Sequence, residues 1–180
     1  RLLPHAAFRL GEKAEDFEAV LKQAIMKYGC PRALYVDRGA AQISSSLRLI
    51  CAELAIELIH TETRDAPAKG AVERIIRTCR EEIEDELPEE PIALTETNSL
   101  LWSWMAVEYH SRRHEGTGRI PLDHFLEGVE ARRLRPIPHG VSLDEIFRHR
   151  ERRKVRKDGT IKWGGKLLEV RAELSGRRVE

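Results

Sequence analysis

The sequence contains no long apolar run, few aromatic residues and few cysteines. Of its 180 residues, 41% are hydrophobic, 34% are charged and 6% are aromatic, and no stretch approaches the roughly 20 apolar residues that span a membrane. The first residues lack a signal-peptide pattern, since Leu2 and Leu3 are followed directly by Pro4 and His5. These absences argue against a membrane or secreted protein and favour one globular core with space for a second, smaller one.

The three cysteines are odd in number and form no CxxC pair. This spacing suggests neither a zinc site nor a disulfide framework. We therefore expect Cys30, Cys51 and Cys79 to be small apolar core residues of a protein in a reducing, cytosolic setting.

Charge is distributed unevenly, although the net charge is only +1. Residues 1–109 carry 13 Lys and Arg against 19 Asp and Glu, residues 110–140 carry 6 against 4, and residues 141–180 carry 12 against 7. A basic end is typical of contact with a polyanion. A basic surface that is merely solvated is the ordinary alternative.

The first half of the sequence alternates between helix and strand patterns. Residues 12–28 carry apolar residues at helical spacing, and Gly29 marks the end of that helix. The short apolar runs 33–36 and 56–59 predict buried strands, and a helix between them has its N-cap among the serines 44–46. The alternation predicts an α/β layer.

Four further segments surround this layer. Residues 1–9 have strand character, with Pro4 tolerated only at an edge or bulge, and residues 61–70 predict a polar loop. Residues 71–87 and 95–109 predict helices. Their expected core stripes are Val72, Ile76, Cys79, Ile83 and Leu87 in the first helix, and Leu101, Trp102, Met105 and Tyr109 in the second.

The last third of the sequence changes character. Residues 111–140 contain three prolines and four glycines, which predicts a connecting arm packed over the core. Asp158-Gly159 and Gly164-Gly165 predict two turns between short strands. A small β-barrel or sheet begins here, and the chain stops before the barrel could close.

Two acidic residues lie in distinctive contexts. Asp37 ends the predicted strand 33–36 and is followed by Gly39, while Glu73 lies near the start of the next long helix, with 35 residues between the two acids. Two carboxylates supplied by a strand end and a helix can hold divalent metal for phosphoryl transfer. Each also has an ordinary explanation, as an Asp that starts a turn and as a Glu placed near a helix dipole.

Basic side chains accompany these acids. Arg74, Arg77 and Arg80 follow Glu73 on the predicted helix, and the run 148–154 precedes a hairpin that carries Trp163. Guanidinium groups beside metal-binding acids suit a nucleic-acid substrate, and we expect phosphate contacts from both groups of basic residues. For the run 148–154, a solvated helix end is the alternative.

Two histidines and an acidic stretch have less specific interpretations. His110 and His114 are four residues apart, but zinc needs three or four ligands, so we interpret them as structural or DNA-facing. The acidic residues between 81 and 90 predict a solvated face that would repel DNA.

Together these motifs resemble the catalytic core of DDE-type transposases and integrases. The matching segments are Asp37-Arg38-Gly39, the 35-residue gap, Lys69 through Arg74, Arg80, Tyr28-Gly29-Cys30-Pro31 before the strand, and Tyr109 through His114 with Pro121 after the core. The tail resembles the small C-terminal β-barrel of Mu-type transposases, in Phe147, Arg153-Lys154-Val155, Lys157 through Ile161, and Glu169-Val170.

This resemblance implies an α/β fold. It would comprise a ribonuclease-H-like three-layer core whose N-terminal strand is missing or truncated, followed by a small, incomplete β-barrel. The implied domains are a catalytic core over 1–109, a connecting arm over 110–140 and a partial barrel over 141–180.

The resemblance also implies site residues. Asp37 would match the family's second catalytic Asp and Glu73 its catalytic Glu, both as ligands of two Mg²⁺ or Mn²⁺ ions. The implied DNA-binding residues are Lys69, Arg74, Arg77, Arg80, Arg152, Arg153, Lys154 and Lys157. Two departures matter: residues 1–9 contain no acid, so the first catalytic Asp is expected upstream of Arg1, and Arg38 stands where the family often has Asn.

The implied function is DNA transposition by two-metal phosphoryl transfer, with this fragment inactive on its own. The implied partners are transposon ends, target DNA, further copies of the chain and accessory transposition proteins, in a bacterial cytoplasm near the nucleoid and away from membranes. A ribonuclease-H-like nuclease and a non-catalytic DNA-binding or assembly fragment are the alternatives.

Overall fold

The computed structural model describes residues 2–37, 39, 43–61, 66–84, 87–130, 134–150 and 153–179. The chain divides into two units, Arg1–Phe147 and Arg148–Glu180. The first contains α1 (Ala14–Tyr28), β1 (Ala33–Val36), α2 (Ser45–Glu53), β2 (Glu57–His60), α3 (Ala66–Glu84), α4 (Leu94–Trp104), a π-helical turn (Met105–Tyr109), α5 (Pro121–Glu130) and α6 (Leu143–Ile146). This mixture of helices and strands is consistent with the predicted α/β class.

Helix α1 ends where the sequence predicts. Leu21 and Ile25 are buried on its inner face, and the Gly29 N–H donates to the Ile25 carbonyl at 2.8 Å. Gly29 has φ +88°, and a Cβ atom there would lie 2.6 Å from the Arg135 carbonyl oxygen. Glycine is therefore required at this position both by the backbone conformation and by close packing.

Strands β1 and β2 form a parallel pair, in register from Ala33 opposite Glu57 to Val36 opposite His60. Helix α2 connects them, and the predicted serine N-cap is confirmed, because the Ser44 hydroxyl accepts a hydrogen bond from the Leu47 N–H at 3.0 Å. The first core lies between these elements and α1, and consists of Leu21, Ile25, Cys30, Leu47, Ile50, Cys51, Leu54, Ile56 and Ile146.

Helices α3 and α4 form a second core with the π-helical turn. It consists of Ile83, Leu101, Trp104, Met105 and Tyr109. Two parts of the predicted stripes are wrong. Val72 and Ile76 are exposed at the start of α3, and Trp102 is 44% exposed while Trp104 is buried.

The N-terminal segment contacts α4 through Trp102 and Asn98. Residues 2–9 form no strand, contrary to expectation. The Phe8 N–H donates to Asn98 Oδ1 at 2.7 Å, and Trp102 Nε1 donates to the Ala6 carbonyl at 2.8 Å. Side chains of α4 thus satisfy the backbone that a neighbouring strand would otherwise pair.

Helix α3 begins earlier than predicted. Residues 66–70 belong to the helix, whereas the sequence predicted a loop over 61–70; residues 62–65 lie outside the described part of the chain. Pro67 is compatible with this start, because the first turn of a helix has no intrahelical partner for its N–H groups. The polar composition of the segment concealed the helix.

The predicted arm contains α5, which its composition did not reveal, and it ends on the first core. Backbone hydrogen bonds join Cys30 and Arg135 at 2.8 and 3.0 Å. The Arg135 guanidinium donates to the carbonyls of Pro31, Leu54 and Ala55 at 3.2, 3.0 and 2.7 Å. These contacts anchor the arm, and residues 141–147 continue with it into the first unit, whereas the three-part domain division stays a prediction.

The second unit contains β3 (Arg153–Lys154), β4 (Thr160–Trp163), β5 (Lys166–Glu169), a 3₁₀ turn (Ala172–Leu174) and β6 (Arg178–Val179). β4 and β5 form an antiparallel hairpin, and β3 pairs with β6. Both predicted turns are present: Gly164 and Gly165 have φ +52° and +80°, and Gly159 has φ +74°. The two ribbons do not by themselves establish the expected barrel.

Two predictions from composition can be compared with the structure. Cys30 and Cys51 are buried, as expected, and burial raises the pKa of the Cys51 thiol to about 11; Cys79 is half-buried. Within the described ranges, no helix has the length and apolar character needed to cross a bilayer.

Candidate functional site

Asp37 lies at the carboxyl end of β1. This strand is only partly buried, contrary to the prediction of a buried strand, because Tyr35 is 66% exposed. Val36 is 6% exposed, whereas the next side chain, Asp37, is exposed. Asp37 Oδ1 accepts a hydrogen bond from the Gly39 N–H at 2.9 Å. This turn orients a carboxylate whose side chain is exposed to solvent.

Glu73 lies inside α3 and is exposed. Because α3 begins at Ala66, Glu73 is not in the first turn, where the sequence placed it. A helix dipole acts mainly within the first turn. The ordinary explanation of Glu73, as an acid placed near a helix dipole, therefore no longer applies well. Glu73 is an outward-facing carboxylate on a regular helix.

The structure does not join the two acids directly. Among the described residues, no hydrogen bond or ion pair links Asp37 to Glu73, and no group of three or more His, Cys, Asp or Glu forms a metal-binding cluster. Mg²⁺ is often held by one or two carboxylates that share it with water and substrate phosphates. Two open carboxylates fit that donor set in chemical type, and their role as metal ligands stays a prediction.

The structure describes the side chains of three of the four predicted basic residues of α3. Arg74, Arg77 and Arg80 are exposed, whereas the Lys69 side chain lies outside the described part of the chain. An open groove of about 840 Å³ runs beside α3 and is lined by Gly70 and Arg74. Basic groups in this groove are close to the helix that carries Glu73.

The groove is not uniformly basic. Its other lining residues include one histidine, His114, and the charged residues Glu81, Glu82, Arg112, Arg113 and Glu115. A Cβ atom at Gly116 would lie 3.7 Å from Arg74 Nη1, so the guanidinium extends across the groove. Arg74 is therefore the basic residue of α3 best placed to meet a phosphate there.

The predicted basic residues of the tail lie on the second unit. Lys154 is exposed on β3, and Lys157 is exposed in the turn before β4. Arg153 is exposed on β3 and has interactions within the protein. Arg152 lies outside the described residues.

Glu82 has a structural role that the sequence did not reveal. Trp104 Nε1 donates to Glu82 Oε2 at 2.8 Å, and Arg112 Nη2 donates to Glu82 Oε1 at 2.6 Å. Partial burial raises the pKa of Glu82, but the hydrogen bonds from Arg112 and Trp104 outweigh this effect and hold the pKa below its ordinary value. The acidic stretch 81–90 is therefore not solely a solvated face.

The two histidines have protein partners. His110 is buried and its Nε2 lies 3.1 Å from the Leu3 carbonyl oxygen, and burial lowers the pKa of its ring. His114 Nε2 lies 2.9 Å from the Tyr109 carbonyl oxygen, and its ring packs edge-on against Tyr109 at 4.5 Å. These contacts support structural roles, which sequence spacing alone left open.

Two comparisons with known proteins found matches to this chain. Residues 2–89 match the family model of the TnsB C-terminal domain. The fold is similar to that of a chain in the cryo-EM structure of the simian T-cell lymphotropic virus intasome in complex with the PP2A regulatory subunit B56 gamma, with a TM-score of 0.55 and 19% sequence identity. That match covers 81% of this chain and 49% of the intasome chain.

The chain thus spans about half the length of the intasome chain that it matches. Among curated proteins, no sequence matches it significantly. The family match over residues 2–89 and the shared fold support a relationship of this chain to transposases and integrases.

Proposed function

We propose that the chain is part of a DNA transposase or integrase that cuts and joins DNA strands by phosphoryl transfer. The observation that carries the proposal is the exposed carboxylate of Asp37 at the carboxyl end of the parallel strand β1. Glu73 adds a second exposed carboxylate on α3. Both acids lie within the segment that matches the TnsB C-terminal domain.

Asp37 and Glu73 would hold Mg²⁺ through carboxylate oxygens. Bound Mg²⁺ would supply positive charge that activates the attacking hydroxyl or water and stabilises the leaving oxygen of the phosphodiester. The protein contributes positioning, since the Gly39 N–H fixes one oxygen of Asp37 and the regular helix α3 fixes the backbone of Glu73. Two carboxylates do not make a complete two-metal site, so this chain is expected to be inactive by itself.

DNA would contact both units. Arg74, Arg77 and Arg80 would bind phosphates near the reacting strand, together with Lys69. Lys154 and Lys157 would add phosphate contacts from the second unit, together with Arg152 and Arg153. Joining two DNA ends to a target further suggests a multimer assembled on DNA with accessory proteins, and a cytoplasmic setting close to the nucleoid.

The decisive experiment substitutes Glu73 in the full-length protein. Glu73→Gln should abolish strand transfer, because an amide is a much weaker Mg²⁺ ligand than a carboxylate, while affinity for DNA ends stays within about twofold, a binding change of about 0.4 kcal/mol. Strand transfer is measured on linear DNA ends with Mg²⁺, and binding is measured separately by fluorescence anisotropy. Glu89→Gln, the same substitution at an exposed glutamate outside the groove, is the control and should retain activity.

Other outcomes would point to the alternatives. Equal loss of binding and strand transfer in Glu73→Gln would make Glu73 structural. DNA hydrolysis without joining by the unaltered protein would indicate a ribonuclease-H-like nuclease. Unchanged strand transfer in both Glu73→Gln and Asp37→Asn would show that the catalytic carboxylates are other residues. Binding of DNA ends by the unaltered protein without strand transfer or hydrolysis would indicate a non-catalytic DNA-binding or assembly role.

A further inference from the structure

We propose that Trp163, at the tip of the β4–β5 hairpin, is a stacking platform for an unpaired DNA base. The inference deepens the proposed function and rests on DNA being the substrate. It concerns only the second unit and assigns a role to an exposed aromatic side chain that phosphoryl transfer does not use.

The hairpin places an aromatic ring beside a cation. Trp163 is directly opposite Lys166 in the antiparallel register, and Ile161 is opposite Leu168. Side chains two residues apart on a strand share a face, so these four side chains lie on one face of the ribbon. That face has an apolar part formed by Ile161 and Leu168 and, at its tip, an indole next to an ammonium group.

The ring is accessible and held from one side. Trp163 is 39% exposed and Leu168 is 44% exposed. The His149 ring lies 6.1 Å from Trp163, centroid to centroid, at an interplanar angle of 50°. The buried apolar side chain of this unit is Val155, at 1% exposure, so Trp163 does not complete a core within the described residues.

The tip of the hairpin gives a nucleic acid close access. Gly164 and Gly165 form the turn, and a Cβ atom built on either one would meet nothing within 4 Å. A strand that approached the tip would therefore meet bare backbone rather than a side chain. Open backbone beside a lysine is suited to a phosphate, while the neighbouring indole is suited to the base attached to it.

Charge selects nucleic acid over a protein partner. Residues 148–180 carry 12 Lys and Arg against 5 Asp and Glu, a net charge of +7. An apolar docking surface for a protein does not need this excess, whereas a polyanion is attracted by it. Bases inside a duplex already stack on each other, so an exposed ring can stack only on a base that is unpaired or terminal.

The test compares binding of two DNA molecules by the full chain. One is a blunt duplex, and the other is the same duplex with a short single-stranded overhang, both labelled for fluorescence anisotropy. The unaltered chain should bind the overhang DNA more tightly than the blunt DNA. Trp163→Leu should weaken overhang binding about 30-fold, the middle of the range for one base–aromatic stack, and should change blunt binding much less.

Two variants separate stacking from simple apolar contact. Trp163→Phe keeps an aromatic ring and should retain most of the preference for the overhang, whereas leucine, which is also apolar, should not. The quenching of intrinsic fluorescence by overhang DNA should be smaller in Trp163→Phe than in the unaltered chain. Trp102→Leu, an exposed tryptophan in the first unit, is the control and should leave the ratio of the two affinities unchanged.

Each contrary outcome has a defined meaning. If Trp163→Leu binds the overhang DNA as tightly as the unaltered chain, or loses both DNA molecules equally, the stacking role is overturned while the DNA function stands. If the unaltered chain binds neither DNA, both this inference and the DNA role of the chain fail. In the separate strand-transfer assay, loss of strand transfer with unchanged affinity for DNA is the result expected for Glu73→Gln. That result would test the proposed function and not the role of Trp163.

Discussion

At the scale of single residues, Glu82 shows how one side chain holds two helical segments together. Its carboxylate accepts hydrogen bonds from Trp104, on α4, and from Arg112, in the loop beyond the π-helical turn. The side chain of Glu82 is 32% exposed and that of Arg112 is 48% exposed, so solvent screens the ion pair in part. The hydrogen bond from Trp104 fixes α3, which carries Glu73, against α4.

Glu82 should make the stability of the chain depend on acidity. Its pKa is lower in the folded chain than the ordinary value of 4.5, so its stabilising effect is complete above about pH 4.5 and is lost as the pH falls through the lowered pKa. We expect Glu82→Gln to reduce the free energy of unfolding by ~1 kcal/mol near neutral pH. Urea unfolding at neutral and acidic pH should show the difference between the two proteins disappearing in acid.

A suitable control is Glu81→Gln, because Glu81 is its exposed neighbour on α3. This variant should unfold like the unaltered chain at both pH values. A destabilisation by Glu82→Gln that persisted unchanged in acid would show that the carboxylate's charge is not its source.

Residue contexts predicted part of the candidate site. The apolar run before Asp37 and the glycine after it predicted an accessible acid at a strand end, and the structure places it there. Helical spacing did not distinguish Trp102 from Trp104, because the buried tryptophan is selected by a contact distant in sequence: Trp104 Nε1 donates to Glu82. The partnership of Glu82 with Arg112 was hidden for the same reason.

At the scale of elements, the start of α3 decides the setting of Glu73, and Gly70 is its weak point. Gly70 lies within the helix, has no positive φ and would place a Cβ atom in open space. Glycine inside a helix is about 1 kcal/mol less favourable than alanine. We expect Gly70→Ala to raise the free energy of unfolding by about that amount, measured by chemical denaturation.

The same substitution at Gly29 should act in the opposite direction. Gly29 has φ +88°, and its Cβ atom would lie 2.6 Å from the Arg135 carbonyl, so alanine there should destabilise the chain. If both alanine variants shifted stability in the same direction, the assignment of Gly70 to a regular helix would be wrong.

Elements with strong local signals were predictable, and elements defined by distant contacts were not. The period of α1, the glycine after it and the serine cap of α2 are local, and all are confirmed. Residues 2–9 looked like a strand because apolar composition does not specify a partner; α4 supplies that partner through Asn98. Polar composition likewise concealed the first turn of α3.

At the scale of the whole molecule, the boundary after Phe147 separates two oppositely charged units. Residues 1–147 carry 19 Lys and Arg against 25 Asp and Glu, a net charge of −6, and residues 148–180 carry a net charge of +7. The sequence predicted the basic end, with its last domain beginning at residue 141, and that division stays a prediction. The apolar residues Val141, Leu143 and Phe147 pack against the first core, which accounts for the place of residues 141–147 in the first unit.

This separation should concentrate the electrostatic part of DNA binding in the second unit. Each phosphate contact that a Lys or Arg makes with duplex DNA adds about 0.9 to the slope of log affinity against log salt concentration. Lys154 and Lys157 are both exposed, so replacing both with glutamine should reduce the slope by about 2, measured by anisotropy over a series of salt concentrations.

Lys27→Gln, an exposed lysine of the acidic unit, should leave the slope unchanged, as should Glu73→Gln, because neither substitution removes a predicted phosphate contact. An unaltered slope in the Lys154 and Lys157 double variant would place the phosphate contacts elsewhere on the chain, and α3 with Arg74 would then be the next surface to neutralise.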